Sequence, residues 1–342
     1  MKRHGNLFSK IVEPANIYLA YRHARKGKSW QNTIKLFEAD SDKNLDTIRA
    51  SILDKTFTTS EYETFMVYEP KRRIIYKLPF NPDRIVQHAL MNVAEPIFDG
   101  LFIHDSYSCR KGKGIHAGSR RTMEYIRKVG KDGYCLKMDI AKFYPSISHD
   151  ILYEILKHKI KCRETLWLIK DIIYSIEDGY NVPIGNYTSQ WFGNLYLNEL
   201  DQVLKQKYHV KNYIRYCDDF IILDEEKAYL NEVAEIIKEY LKDKLELKLS
   251  KNVVSPVKQG IDFLGYRHFP TYVLLRKSTA TRTKRRIKQL PILLSERAIT
   301  ELQFKSSIAS TKGWLRWCNA YNLSQHLNLN QMVVDGVCCH AR

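Results

Sequence analysis

Three acidic residues stand where carboxylates could hold metal ions. Asp139 lies near the end of the apolar run 134–140, and Asp218 and Asp219 interrupt the β-rich run 213–223. An Asp pair in a turn is also ordinary hairpin chemistry. If these strands are neighbours in one sheet, however, the three carboxylates meet at one edge, where they stay ionised together only around hard cations. The pattern predicts two Mg²⁺ ions that activate an attacking hydroxyl and neutralise a leaving pyrophosphate, which is phosphoryl transfer without a protein nucleophile.

The elements that position these carboxylates follow from hydrophobic periodicity and turn residues. We predict helices over 15–28 and 30–55 that cover a sheet, and a helix from Pro82 to about Ala94. A glycine-rich basic loop is expected over 106–121. The remaining predicted elements are a hairpin of 64–68 with 74–78, a strand over 134–140, helices over 149–161, 164–176 and 189–207, a hairpin over 212–224 and a helix over 225–244. This order predicts a mixed α+β fold.

The charge of the chain points to nucleic acid. The formal net charge is +17, and nine of these charges fall within Thr271–Arg342. Trp314, Trp317 and Tyr321 are interleaved with the basic residues, a composition typical of surfaces that follow a phosphate backbone and pack aromatics against sugars or bases. The alternative is a solvated helix face.

The composition excludes several other classes of protein. With 44% hydrophobic and 12% aromatic residues, the chain can bury enough apolar surface to fold, unlike a disordered basic tail. No apolar run approaches the ~18 residues of a membrane-spanning helix, and the N-terminal segment lacks a signal-peptide core. Seven scattered cysteines without CxxC spacing favour reduced thiols. We therefore expect a cytoplasmic protein without a membrane partner.

Five further segments give these residues a family context. Tyr216-Cys217-Asp218-Asp219 resembles the Tyr-x-Asp-Asp box of reverse transcriptases, and the segment 138–147, Met-Asp-Ile-Ala-Lys-Phe-Tyr-Pro-Ser-Ile, resembles their first palm motif. Segments 83–87 and 108–116 resemble finger blocks of group II intron-type enzymes, and Phe263-Leu264-Gly265-Tyr266 resembles the box that closes the palm. The blocks occur in the order of the family.

This resemblance implies a right-hand polymerase fold with fingers, a palm of antiparallel sheet plus helices, and a short helical thumb. The implied division is an N-terminal helical extension over 1–62, fingers over 63–133, a palm with some finger helices over 134–266, and a basic thumb over 267–342. It also implies RNA-directed DNA polymerase activity on template RNA and dNTP, with cDNA as product. The cofactors would be two Mg²⁺, with Mn²⁺ as a substitute, and the metal-site residues would be Asp139, Ile140, Asp218 and Asp219.

One block distinguishes subfamilies. Intron and retroviral enzymes carry Gln-Gly-x-x-x-Ser-Pro, whereas segment 184–190 reads Ile-Gly-x-x-x-Ser-Gln, which resembles reverse transcriptases of diversity-generating retroelements. That resemblance implies a bacterial or phage-encoded enzyme that copies a template-repeat RNA with errors at template adenines, so that the cDNA rewrites a target gene. It also implies a small basic helical oligomeric accessory protein as partner.

Ile184 gives this low fidelity a physical basis. A glutamine at this position can hydrogen-bond near the incoming nucleotide, whereas Ile184 offers only shape and has no polar group to leave unpaired when the base pair is wrong. The alternative is that Ile184 is a core residue beneath the following helix.

The resemblance assigns other residues to the nucleotide and to the nucleic acid. Cationic Lys71, Arg72 and Arg73 would contact the triphosphate, unless they belong to a solvated turn. Tyr144, or Phe143 one residue earlier, would exclude a ribose 2′-hydroxyl, and Lys251, or equally Lys248, would protonate pyrophosphate. Gly185, lacking a Cβ, would let the backbone approach the primer-template. The full predicted sets are Lys71, Arg72, Arg73, Phe143, Tyr144, Ile184, Gly185, Gln190 and Lys251 for the nucleotide, and Arg110, Lys111, Lys113, Tyr216, Arg282, Lys284 and Arg285 for template and primer.

Two other functions remain open from the sequence. A reverse transcriptase of the same fold in antiphage defence or in an orphan role would carry the same boxes. A catalytically silent RNA-binding scaffold would be expected to have lost at least one metal carboxylate, and all three are present.

Overall fold

The chain forms two compact units built from interleaved segments. A computed structural model describes residues 3–69 and 71–329. The first unit contains Met1–Lys111, Met138–Lys211 and Val233–Asn252. The second contains Gly112–Lys137, Asn212–Glu232 and Val253–Arg342, of which 330–342 lie outside the described residues.

Helices make up most of the regular structure. None of the described helices is long and apolar enough to cross a membrane. In chain order the helices are α1 (Phe8–Ile11), α2 (Pro14–Arg25), α3 (Asn32–Glu38), α4 (Ser41–Leu53), α5 (Ile85–Asp99), α6 (Ile115–Val129), α7 (Phe143–Ser146), α8 (His149–Lys159), α9 (Arg163–Ile173), α10 (Tyr187–Gln202), α11 (Lys227–Leu245), α12 (Lys277–Ser295), α13 (Glu301–Leu315) and α14 (Tyr321–His326).

The strands form three sheets. The first is the antiparallel hairpin of β1 (Glu63–Val67) and β2 (Arg73–Lys77). The second has the order β4–β5–β3–β6 and consists of β3 (Tyr134–Ile140), β4 (Asn212–Tyr216), β5 (Asp219–Asp224) and β6 (Leu249–Pro256). The third is an antiparallel sheet of β7 (Ile261–Phe263), β8 (Tyr266–His268) and β9 (Val273–Leu275). Strands β3 and β6 each run from one unit into the other.

Helix α5 is the centre of the first unit. Its residues Ile85, Val86 and Leu90 are fully buried, because α5 is covered by α2 on one side and by α10 on another. The side chain of Asn16 on α2 donates to the carbonyl oxygen of Ala89 at 3.0 Å. This contact fixes the N-terminal helices on a helix rather than on a sheet.

The second unit places α6 against β4, β5 and β8. Buried Ser119 on α6 is hydrogen-bonded to His268 on β8, with 2.8 Å between Oγ and Nε2. The C-terminal helices have a small core of their own, which includes Ile287, Leu290 and Phe304. The basic exterior of α12 is therefore carried on a packed helical hairpin.

Most predicted elements are confirmed. The two hairpins, the strand over 134–140 and the four helices that follow 148 all form within a few residues of the predicted limits. The mixture of helices and sheets confirms the predicted α+β class. The four-part division of the chain stays a prediction.

Three predicted elements are wrong in detail. The helix over 30–55 is broken between α3 and α4 at Ala39 and Asp40. The helix expected from Pro82 begins after an irregular turn and runs from Ile85 to Asp99. The basic loop expected to reach residue 121 ends at Gly114, whose left-handed backbone (φ 117°) precedes α6. Gly114 and Gly118 give this segment the composition of a loop, although Met123, Ile126 and Val129 form a buried face at helical spacing.

Candidate active site

The two-residue turn Cys217–Asp218 joins β4 to β5. Tyr216 pairs with Asp219 across the hairpin, so Asp218 lies at the tip and Asp219 begins β5. Cys217 adopts the left-handed conformation that such a turn requires (φ 57°). Fully buried Arg215 donates from Nη1 to the Cys217 carbonyl oxygen at 3.0 Å. The guanidinium therefore fixes the turn from the protein interior.

Asp219 forms an ion pair that the sequence analysis missed. Both carboxylate oxygens of Asp219 lie 3.2 Å from Nζ of Lys137 on β3. The side chain of Lys137 is only 13% exposed. A signal was available, since Lys137 is the one cation in a largely apolar strand and lies two residues before Asp139, hence on the same face of that strand.

Asp139 belongs to the first unit and is bound by Ser250. The hydroxyl of Ser250, on β6, donates to Asp139 Oδ2 at 2.6 Å. The amide of Ala141 donates to the carbonyl of Lys248 at 2.8 Å. Both Lys248 and Lys251 are exposed next to this segment, so the choice between them as proton donor stays open.

The aspartate oxygens suit a hard cation, although the described residues do not form a complete metal site. Within 3–69 and 71–329, no group of three His, Cys, Asp or Glu side chains is arranged to hold a metal ion. Aspartate oxygens are nevertheless the ligands that Mg²⁺ prefers, and a carboxylate that accepts from an ammonium or a hydroxyl keeps further lone pairs. Ile140 is buried at the end of β3. The metal-binding role of the four residues stays a prediction.

The two candidates for a ribose gate differ in exposure. After β3, Lys142 takes a left-handed conformation (φ 44°), and α7 then begins. Phe143 is 2% exposed and belongs to the core, whereas Tyr144 is partly exposed. Both rings pack against Gly193, where an added Cβ would lie 3.1 Å from each. Only Tyr144 has surface available to a nucleotide, so it is the better candidate.

The loop that carries Ile184 is anchored to the β1–β2 hairpin. The amide of Tyr76, on β2, donates to the Ile184 carbonyl at 2.8 Å, and Asn181 donates to the Tyr76 hydroxyl at 3.0 Å. The Ser189 hydroxyl donates to the Pro183 carbonyl at 2.6 Å and closes the loop. The hairpin and this loop are therefore held as one body.

Gly185 is needed for a contact other than the predicted one. Its φ of 130° lies in the left-handed region, and an added Cβ would come within 2.2 Å of the Tyr76 carbonyl oxygen. The missing Cβ thus lets the loop pack against β2. The approach of a primer-template to Gly185 stays a prediction.

Gln190 lies on the exposed side of α10, next to the loop that precedes α6. Its Oε1 accepts from the thiol of Cys109 at 3.0 Å. Partial desolvation raises the pKa of the Cys109 thiol, which keeps the thiol protonated and able to donate. The proposed nucleotide contact of Gln190 stays a prediction.

The three cations near the turn of the β1–β2 hairpin are all exposed. Arg73 begins β2 and pairs with Val67, and Lys71 and Arg72 precede it next to Pro70, which lies outside the described residues. By contrast, Lys77 is paired with Glu63 at 2.7 Å. Lys71, Arg72 and Arg73 are therefore placed on a surface where they can meet a charged ligand.

Arg110 is an internal contact of its own loop. Its guanidinium pairs with Asp99 at 2.6 Å and donates to the carbonyls of Ile103 and Ser106. The side chain is 9% exposed. A buried, fully engaged guanidinium fastens the loop, so we remove Arg110 from the proposed template surface and keep the exposed Lys111 and half-exposed Lys113.

Substitution of Arg110 separates these two roles. We expect Arg110→Met to lower the free energy of unfolding by about 2 kcal/mol, because it removes a charge-assisted pair and leaves loop carbonyls unsatisfied. The variant should bind RNA with nearly unchanged affinity once folded. Lys111→Met is the matched control and should keep the parent stability. Denaturant unfolding and filter binding measure both, and a large RNA defect in a stable Arg110 variant would restore the template role.

Two C-terminal tryptophans stack on other rings of the second unit, whereas Tyr321 is 75% exposed. Trp314 stacks on Tyr266 with ring centroids 5.3 Å apart, and Trp317 stacks on His116 at 4.5 Å. Both rings are thus partly used in packing within the protein, and their contact with bases stays a prediction. The basic side chains Arg282, Lys284 and Arg285 are exposed on α12.

The comparison with known families decides the class of protein. Residues 69–268, more than half of the chain, match the family described as reverse transcriptase (RNA-dependent DNA polymerase). The chain belongs to the reverse transcriptase family. The matched segment contains the Tyr-x-Asp-Asp box and all the other motif blocks, whereas helices α1 to α4 precede it. The prediction of a reverse transcriptase with a right-hand polymerase fold is therefore confirmed, whereas the diversity-generating subtype stays a prediction. Members of this family generally use divalent metal ions.

Individual relatives of this reverse transcriptase are distant. It is 24% identical to protein YkfC of Escherichia coli K12 over 63% of this chain and 66% of that protein. It is 21% identical to the group II intron-encoded protein LtrA of Lactococcus lactis subsp. cremoris over 87% of this chain and 61% of that protein. The chain thus spans about two thirds or less of these relatives. Apo telomerase from Candida tropicalis is similar over 66% of the chain, with 13% identity and a TM-score of 0.49.

Proposed function

We propose that this reverse transcriptase synthesises DNA on an RNA template, with two Mg²⁺, or Mn²⁺ in their place, held by Asp139, Asp218 and Asp219. Support comes from strand periodicity. Lys137 contacts Asp219, and Asp139 follows two residues later on the same strand and therefore on the same face. The ions would lower the barrier to attack by the primer 3′-hydroxyl and stabilise the charge on the leaving pyrophosphate.

The other residues of the proposed site bind and orient the substrates. Exposed Lys71, Arg72 and Arg73 would neutralise the triphosphate. Tyr144 would close the space in which a ribose 2′-hydroxyl would lie. Lys251 or Lys248 would give a proton to pyrophosphate as it leaves. Ile140 would complete the metal site next to Asp139.

Within this family we infer a role in diversification. The enzyme would copy a template-repeat RNA into cDNA with errors at template adenines, and that cDNA would rewrite a target gene. The observation that carries this proposal is Ile184. Its side chain is neither in the core nor polar, whereas its neighbours Val182 and Pro183 are buried. The partner would be a small basic helical oligomeric accessory protein.

The error spectrum of Ile184→Gln tests this proposal. The glutamine offers a hydrogen bond that a mismatched pair would leave unsatisfied, which costs about 1–3 kcal/mol. We therefore expect misincorporation opposite template adenine to fall about tenfold. Ile184→Leu keeps an apolar side chain and should keep the parent spectrum. Sequencing of cDNA made on a defined RNA measures both, and unchanged errors in Ile184→Gln would exclude Ile184 from control of fidelity.

The basic face of α12 is proposed to hold the RNA. If Arg282, Lys284 and Arg285 each contact a phosphate, replacing all three by glutamine should reduce the slope of log affinity against log salt by about 2–3. Replacing Lys238, Lys242 and Lys244 on α11 by glutamine removes the same charge from another exposed face. Fluorescence anisotropy with labelled RNA at several salt concentrations compares the two variants. Equal slopes would locate the main RNA contact elsewhere.

A further inference from the structure

Lys137 is held by several fixed contacts next to the proposed metal site. Nζ lies 3.2 Å from both carboxylate oxygens of Asp219 and also donates to the main-chain carbonyl of Asp262. The same ammonium stands 5.8 Å from the ring centroid of Phe263. The side chains of Lys137 and Asp219 are 13% and 27% exposed. All four residues belong to the second unit.

Burial distinguishes this pair from the surface ion pairs of the chain. In the pairs Lys157–Glu154 and Lys238–Glu235, each side chain is at least 41% exposed, and such pairs contribute little. An ammonium at 13% exposure has lost most of its hydration, so its position requires compensation by fixed acceptors. Asp219 and the Asp262 carbonyl provide that compensation.

The position of Lys137 also determines what it does to a cation. The carboxylate that it neutralises is the one that opens β5, directly after Asp218. The bond to the Asp262 carbonyl ties the ammonium to β7, and it therefore cannot move away from Asp219 without losing a second contact. A cation that approaches Asp219 meets a fixed positive charge and a carboxylate that is already engaged.

We propose that Lys137 is an internal counter-ion that occupies Asp219 in the absence of metal and thereby weakens the binding of divalent cations at the Asp218–Asp219 turn. This inference rests on the proposed metal-binding function of that turn. Lys137 is a positioning residue, since it acts through Asp219. Its consequence is a site that loads metal less tightly than its three carboxylates alone would allow.

Direct binding of Mn²⁺ to the full chain, measured by electron paramagnetic resonance without nucleic acid or dNTP, tests this inference. Lys137→Met should bind Mn²⁺ about three- to tenfold more tightly, because a nearby positive charge and a competing ligand are both removed. Lys137→Arg keeps the charge and should remain close to the parent. Lys258→Met removes an exposed lysine from the same unit and should change nothing.

Lys137→Gln is a second neutral variant, to be used if Lys137→Met is too unstable for the binding measurement. Lys137→Gln can still donate to the Asp262 carbonyl, and its thermal midpoint with and without Mn²⁺ gives the affinity by mass action. Unchanged or weaker Mn²⁺ binding in both neutral variants would overturn the inference. Failure of both to fold would also overturn it, since Lys137 would then be required for structure rather than for metal affinity.

Failure of this inference can be told apart from failure of the proposed function. Asp139→Asn combined with Asp218→Asn should abolish specific Mn²⁺ binding. If binding survives that double substitution, the proposed metal site is wrong. If binding is lost there but is unaffected by Lys137→Met, the metal site stands and only the role of Lys137 is excluded.

Discussion

Primer extension should fall at least about a thousandfold when Asp218 is replaced by asparagine. Asp218 stands at the tip of the β4–β5 turn, whose backbone is fixed by Arg215. Asparagine has nearly the same shape, so the turn should persist while one of the charges that holds the metal ions is lost. Steady-state and single-turnover extension of a DNA primer on an RNA template measure the effect.

A carboxylate at the other end of the same strand provides the control. Asp224 ends β5, and Asp224→Asn should extend the primer at close to the parent rate. RNA affinity of the Asp218 variant should be unchanged, because only the chemical step is affected. Full extension by Asp218→Asn would contradict the assignment of the metal site, and lost RNA affinity would show that the turn itself had changed.

The β4–β5 hairpin could be predicted from the sequence because local signals determine it. Apolar runs on both sides of 217–219 predict two paired strands. The register differs by one residue from a turn that holds both aspartates, because Asp219 pairs with Tyr216 at the start of β5. Local signals also determine β3, whose seven residues are largely apolar. Agreement is poorer elsewhere, since the helix predicted over 30–55 is interrupted at Ala39 and Asp40 and α6 was predicted as a loop.

The remaining errors concern residues whose role is set by distant neighbours. Arg110 reads as a surface cation, yet Asp99 and two loop carbonyls bind it. Lys137 is a charged residue in a largely buried strand, and only the tertiary fold brings the Asp262 carbonyl and Asp219 next to it. Strands β7 to β9 have three residues each, too few for a periodic signal. Such contacts depend on the tertiary fold and leave no pattern along the chain.

Gly185 has a structural role that the sequence did not indicate. The sequence indicated that a Cβ would be harmful there. An added Cβ would lie 2.2 Å from the carbonyl oxygen of Tyr76. The neighbouring hydrogen bond from the Tyr76 amide to the Ile184 carbonyl oxygen depends on the same close packing. The loop that carries Ile184 and the β1–β2 hairpin are thus coupled through Gly185.

Gly185→Ala should therefore separate the loop from the hairpin. We expect a loss of about 1–3 kcal/mol in the free energy of unfolding from backbone strain and the clash. We also expect the KM for dNTP to rise about tenfold, since displacement costs roughly one hydrogen bond and moves Ile184 relative to Lys71, Arg72 and Arg73. Affinity for the primer-template should be retained. Denaturant unfolding and nucleotide-dependent extension measure these effects.

Gly179→Ala is the matched control for strain alone. Gly179 has a φ of 71°, and an added Cβ there meets nothing within 4 Å. This variant should lose about 1 kcal/mol from the left-handed backbone while keeping the parent KM for dNTP. If Gly185→Ala instead weakens primer-template binding and leaves the KM unchanged, the glycine approaches nucleic acid. Coupling to Tyr76 would then not be its main role.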